Sequence, residues 1–95
     1  MELGMVGLGR MGGAMAERLL RGGHHVTGFA LDPQAVAKLE SAGGRGSGSL
    51  AELCAQLAPP RVVWLMIPAG DPVERTVREL LDLLAPGDVV VDGGN

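Results

Sequence analysis

Val6-Gly7-Leu8-Gly9-Arg10-Met11-Gly12 is the stretch that decides the fold of this 95-residue chain. It follows an apolar run and precedes a segment whose apolar residues recur at helical spacing. A Gly-x-Gly-x-x-Gly at a strand-to-helix junction is the phosphate turn of a dinucleotide-binding βαβ unit. Gly7 permits the tight turn out of the strand. Gly9, without a Cβ, lets a pyrophosphate approach the backbone, and Gly12 lets the helix pack close on the sheet. The unpaired N–H groups and positive dipole end of that helix then face the phosphates. Sixteen glycines make chance matches common, so context carries the reading.

That context runs outward in both directions. The first strand reads Glu2 to Gly7, with Leu3, Met5 and Val6 apolar. The helix after it sets Gly12, Met15, Ala16, Leu19 and Leu20 on one face, with Glu17 and Arg21 paired on the other. Gly22-Gly23 stops it. A second strand spans about His25 to Phe29. Asp32-Pro33 then reads as an N-cap with proline at the first helical position, opening a short helix with Val36 and Leu39 inward. Gly43 to Gly48 is loop around a very short edge strand. Ser49-Leu50-Ala51-Glu52 is a capping box for another short helix, ended by Pro59-Pro60. Arg61 to Ile67 is the longest apolar run and suits a strand covered on both faces. Asp71-Pro72-Val73-Glu74 repeats the cap, and the helix there places Val73, Val77, Leu80, Leu81 and Leu84 on one stripe. Asp88 to Val91 gives the last strand. Strands alternating with helices mean right-handed crossovers, hence an α/β, doubly wound parallel sheet of the Rossmann type. The expected order is 3-2-1-4-5, with helices on both faces and the ligand crevice at the carboxyl ends of strands one and four.

Composition excludes several function classes. The net charge is −3 and the eight Lys and Arg are scattered, so there is no clustered basic surface for nucleic acid. No apolar run approaches a membrane span, and no signal pattern opens the chain. Cys54 is the single cysteine, among Leu53, Ala55 and Leu57; it reads as a small buried hydrophobe, and a reducing, cytoplasmic setting is expected. His24 and His25 sit at the start of the second strand, away from the phosphate turn, with no third ligand nearby for a metal. Serines 41, 47 and 49 lie in loops and caps without a base. Nothing here forms a catalytic set, and a hydride-transfer domain needs none, because the coenzyme carries that chemistry.

The second coenzyme determinant belongs just past the second strand, at Ala30, Leu31 and Asp32. Asp32 lies twenty residues after Gly12, where an acidic side chain can grip ribose hydroxyls. It is equally explained as a helix N-cap. Met66-Ile67-Pro68-Ala69-Gly70 and Asp92-Gly93-Gly94-Asn95 leave their strands at the same crevice.

Gly7-Leu8-Gly9-Arg10-Met11-Gly12, Trp64-Leu65-Met66-Ile67-Pro68-Ala69-Gly70 and Val91-Asp92-Gly93-Gly94-Asn95 together resemble the N-terminal domain of decarboxylating 6-phosphogluconate dehydrogenases, nearest their short bacterial branch. The resemblance covers the whole chain, and its Asp-Gly-Gly-Asn ending separates it from 3-hydroxyisobutyrate dehydrogenases. It implies an oxidoreductase that oxidises and decarboxylates 6-phosphogluconate to ribulose 5-phosphate with NAD or NADP, in the pentose phosphate and gluconate-utilisation routes. Gly7 to Gly12 would hold the pyrophosphate, and Ile67, Pro68 and Ala69 the ribose and nicotinamide side. Asn95 would touch both nicotinamide and substrate. The family's Lys base and Glu acid come later in the chain. So do most substrate contacts, in a helical C-terminal domain, expected after residue 95, that also builds the dimer; residues 1–95 alone are expected to bind without turnover. Family members place Asp after the second strand for NAD, or Asn-Arg-Thr for NADP. Ala30 and Leu31 carry neither pattern, resemblance to the short, often NAD-preferring branch favours NAD slightly, and the missing charged bond costs on the order of 1.5–3 kcal/mol. The alternatives are a 3-hydroxyacid dehydrogenase of the same superfamily and a non-catalytic dinucleotide-binding module.

Overall fold

The computed structural model describes residues 1–68 and 70–93. Five parallel strands form one sheet: β1 (Glu2–Val6), β2 (His25–Phe29), β3 (Arg45–Gly46), β4 (Val62–Leu65) and β5 (Val89–Asp92), in the order β3-β2-β1-β4-β5. Between them run helices α1 (Arg10–Arg21), α2 (Pro33–Ser41), α3 (Leu50–Gln56) and α4 (Asp71–Leu83). The order reverses at β1, whose neighbours are β2 on one side, paired Leu3 to Val26, and β4 on the other, paired Met5 to Trp64. That reversal opens the crevice.

The period of two along each strand divides the core. Leu3 and Met5 point to the α1–α2 face, where they meet Leu8, Ala16, Val26 and Leu39, with Val62 and Trp64 at the margin. Val6, Val63 and Leu65 point to the other face, against Leu50, Leu53, Cys54 and Leu57 of the α3 segment and Leu80 of α4. Because β1 and β4 are covered on both faces, they read as near-continuous apolar runs.

Helix ends follow local chemistry. After Arg21, Gly23 N–H donates to the Leu20 carbonyl and His24 N–H to that of Leu19, the paired bonds of a Schellman stop. The Asp32 carboxylate accepts from Gln34 N–H at 3.0 Å. Ser49 Oγ accepts from Glu52 N–H at 3.0 Å, but the Glu52 carboxylate turns away to Gln56, so the capping box is formed by half. Burial also raises the Cys54 thiol above its ordinary pKa, as suits a packed side chain without reactivity.

The structure corrects further details of the sequence reading. Asp71 is the first residue of α4 and not its cap. Gly70 holds that position with φ +97°, and its carbonyl accepts from Val73 and Glu74. A positive φ there excludes a residue with a Cβ at little cost, and Asp71 instead places its charge in the first turn, where the dipole favours it. Leu81 is 71% exposed; Leu83 packs in its stead, since α4 leans on the sheet with the opposite flank of its Val73-Val77-Leu80-Leu84 stripe. Glu17 and Arg21 form no ion pair.

The last strand begins at Val89, one residue later than expected, because Asp88 is engaged elsewhere. Its carboxylate accepts from Arg61 N–H at 2.5 Å and Ala85 N–H at 2.8 Å, and pairs with the Arg61 guanidinium at 3.0 Å. It thereby ties the start of β4 to the turn before β5. The Ala85 and Arg61 amides, then the guanidinium, hold its pKa below the ordinary aspartate value. A depressed carboxylate pKa gives stability that is complete above the unfolded value and fades as pH falls through the folded one. Asp88→Asn is therefore expected to lower the melting temperature at pH 7 and to flatten its decline below about pH 4; thermal melts from pH 7 to pH 2.5 check this.

Candidate functional site

The crevice at the carboxyl ends of β1 and β4 is a cavity of about 730 Å³. Three chain segments converge on it: Gly7, Leu8 and Gly9 after β1, Ala30, Leu31 and Asp32 after β2, and Met66, Ile67 and Pro68 after β4. Its size and apolar lining with a few polar groups are those of a small-molecule site.

The floor is built by the glycines. Gly7 has φ +96°, and a Cβ there would come within 2.5 Å of the Met66 carbonyl oxygen. Gly12 sits in α1 with its Cα against the Gly7 carbonyl, so a side chain would collide with backbone. These two glycines draw α1 onto the turn. Gly9 differs: among the described residues a Cβ there would meet nothing within 4 Å. Gly9 lines the cavity, and the space over it is open among the described residues.

Gly9 is also the N-cap of α1, and no side chain caps the helix. Among the described residues no protein acceptor meets the amides of Arg10, Met11 and Gly12. A helix start left uncapped beside an open glycine is an anion cradle: orphan N–H donors and the positive dipole end point to the same place. A dinucleotide's pyrophosphate fits these donors, and the turn admits it because Gly9 has no side chain.

The remaining expected site residues divide by placement. Arg10 lines a neighbouring groove, while Met11 is 68% exposed and lines neither space. Gly12 serves packing. Leu31 stands 93% exposed on the rim. Asp32 caps α2 through one carboxylate oxygen and also lines the cavity. Ala69 and Asn95 lie outside the described residues, as does Gly94.

One wall escaped the sequence. Pro72, Arg75 and Thr76, on the first turns of α4, close the cavity opposite Ala30 and Leu31. The only available signal was their place on the flank away from Val73 and Val77, which reads equally well as a solvated face. Among the described residues no group of three or more His, Cys, Asp and Glu is placed to hold a metal, and no helix is long and apolar enough to cross a membrane.

Comparison with known proteins agrees with this geometry. Residues 2–95 match the family model described as the NAD binding domain of 6-phosphogluconate dehydrogenase. The NAD(+)-dependent, decarboxylating 6-phosphogluconate dehydrogenase of Haloferax volcanii is 46% identical over 95 residues, covering all of this chain and 32% of the relative. The 3-hydroxyisobutyrate dehydrogenase of Pseudomonas aeruginosa is 42% identical over 73 residues, covering 77% of this chain and 24% of the relative. The solved structure of Mycobacterium tuberculosis 3-hydroxyisobutyrate dehydrogenase superposes with a TM-score of 0.88 at 30% identity, over 98% of this chain and 31% of that one. The match thus spans between about a quarter and a third of the length of these relatives. Glycine turn, uncapped helix start, sheet order and family match converge: the chain belongs to the NAD-binding domain family of 6-phosphogluconate dehydrogenase.

Proposed function

We propose that this chain is the coenzyme-binding part of an oxidoreductase that oxidises 6-phosphogluconate and releases carbon dioxide, giving ribulose 5-phosphate. The observation that carries the reading is the uncapped start of α1, whose amides open beside an unobstructed Gly9. Gly7, Leu8, Gly9 and the α1 amides would hold the pyrophosphate. Ala30, Leu31 and Asp32 would meet the adenosine, and Ile67, Pro68 and Ala69 the nicotinamide side. Asn95 would align coenzyme and substrate. When bound, the coenzyme supplies a hydride acceptor; this chain's residues bind it, orient it and shield it from water along the apolar rim of the crevice.

NAD is the favoured coenzyme, on the strength of the Asp32 carboxylate at the adenosine end and the NAD(+)-dependent Haloferax volcanii relative. Proton-transfer groups, further substrate contacts and the dimer interface belong to a helical region beyond residue 95. A cytoplasmic place in the pentose phosphate or gluconate-utilisation route completes the proposal.

The full-length protein supplied with 6-phosphogluconate and NAD⁺ is expected to give equal amounts of NADH and carbon dioxide. Absence of both products, with NADP⁺ as well, would overturn the proposal. The similarity to the Pseudomonas aeruginosa relative supports a second reading, a 3-hydroxyacid dehydrogenase, which predicts turnover of 3-hydroxyisobutyrate without carbon dioxide. If the full-length protein binds coenzyme but oxidises neither acid, a non-catalytic dinucleotide-binding module remains.

A further inference from the structure

Strands β1, β2 and β3 begin with Glu2, His25 and Arg45, at the end of the sheet opposite the dinucleotide crevice. The register sets Glu2 against His25 and Thr27 against Arg45. Paired residues of parallel strands project to the same face, as do residues two apart on one strand. All four side chains therefore share one face of the sheet, the face on which Leu53 and Leu57 of the α3 segment approach Gly4. They line a pocket of about 230 Å³, bordered by Gly43 and Gly44, that has no residue in common with the crevice.

Three observations give this pocket its chemistry. Thr27 is only 4% exposed and lines the pocket, yet its hydroxyl has no hydrogen-bond partner among the described residues. A hydroxyl so nearly buried costs the fold stability unless something bonds to it. The Arg45 side chain has no ion pair or hydrogen bond among the described residues. Glu2 is held in place by one oxygen, Oε1, which accepts from Ala58 N–H at 3.0 Å; Oε2 has no donor among the described residues. The guanidinium and the carboxylate stand two strands apart, about 10 Å by sheet spacing, and do not pair with each other.

We propose that this pocket binds a small zwitterionic amino acid. The ligand's carboxylate accepts from the Arg45 guanidinium and the Thr27 hydroxyl, and its ammonium donates to the free Glu2 oxygen. A simple anion gains from Arg45 and loses to Glu2, and a simple cation the reverse. A molecule carrying both charges satisfies both ends of the pocket through charge-assisted bonds. It also supplies the partner that the Thr27 hydroxyl lacks. Phosphate, with its larger negative charge, is disfavoured by the carboxylate it would have to lie beside.

Amide chemical-shift titration of the chain with glycine and with β-alanine tests the proposal. At least one should give saturable shifts at His25, Thr27, Gly43, Gly44 and Arg45, with a Kd of about 10 mM. Propionate and propylamine, which each carry one of the two charges, should bind about tenfold more weakly, and inorganic phosphate no better than propionate. Arg45→Gln and Glu2→Gln should each weaken the amino acid by about threefold to tenfold; glutamine keeps an acceptor for the Ala58 amide. Thr27→Val should weaken it by about threefold while melting no lower than wild type, since valine keeps the branched shape and removes an unpaired hydroxyl. NAD⁺ titrations of all three variants should match wild type. No saturable shift with either amino acid up to about 100 mM would overturn the proposal. So would propionate, propylamine or phosphate binding as tightly as the amino acid, or an affinity unchanged in all three variants.

Discussion

Gly9→Val is expected to fold as the wild-type chain does and to lose at least about a hundredfold in affinity for NAD⁺. Two observations separate these effects. Among the described residues a Cβ at position 9 meets nothing within 4 Å beyond its chain neighbours, and the backbone there is extended, with φ −68° and ψ −163°. Valine accepts such a conformation. The expected stability loss is at most about 1 kcal/mol, because valine is a poorer N-cap than glycine. The affinity loss is larger because the new side chain fills the space through which a phosphate reaches the α1 amides. Each charge-assisted bond forfeited there contributes about 1.5–3 kcal/mol, and two suffice for the stated loss. Circular-dichroism melts and calorimetric titration on the same preparation check both halves. Gly9→Ala should fall between wild type and valine.

The opposite outcome is expected one turn away. Gly12→Ala should destabilise the chain by about 3 kcal/mol, as overpacking against backbone does, and lower its melting temperature by about 10–20 °C. The reason is geometric: the added methyl would overlap the Gly7 carbonyl, which cannot move without dragging the β1–α1 turn. The Met66 Cβ lies 3.2 Å from the same methyl and crowds it further. Gly7→Ala should cost a comparable amount by another mechanism, adding a left-handed backbone penalty of about 1–2 kcal/mol to the clash with the Met66 carbonyl. For a domain with total stability of about 5–14 kcal/mol these are large fractions. Three glycines of one motif thus separate by role, Gly9 for the ligand and the other two for the turn. Urea titrations of the three variants, compared at one temperature, check the ranking.

Much of this architecture is written locally. The β2 limits, the Asp32 and Ser49 caps and the α1 stripe follow from residues within a few positions of one another, so the sequence shows them directly. The sheet order follows from strand–helix alternation and the handedness of crossovers. What escaped depends on partners distant in sequence. Arg61 and Asp88 are 27 residues apart and reveal their clamp only once β4 and β5 are paired. Whether Leu81 or Leu83 packs depends on the lean of α4, which the symmetric stripe leaves undecided. Arg75 and Thr76 join the crevice only because α4 begins beside it. Asp71 misled because the cap pattern was intact but displaced by one residue, the cap position having gone to a glycine in a conformation that aspartate avoids.

Amide chemical-shift mapping of the 95-residue chain with NAD⁺ tests the central assignment most directly. Saturable shifts should centre on Gly9, Arg10, Met11 and Gly12, extend to Asp32 and Ile67, and leave Gly43, Gly44 and Arg45 at the other end of the sheet unmoved. Shifts gathered at that other end, or none at several millimolar coenzyme, would contradict the account.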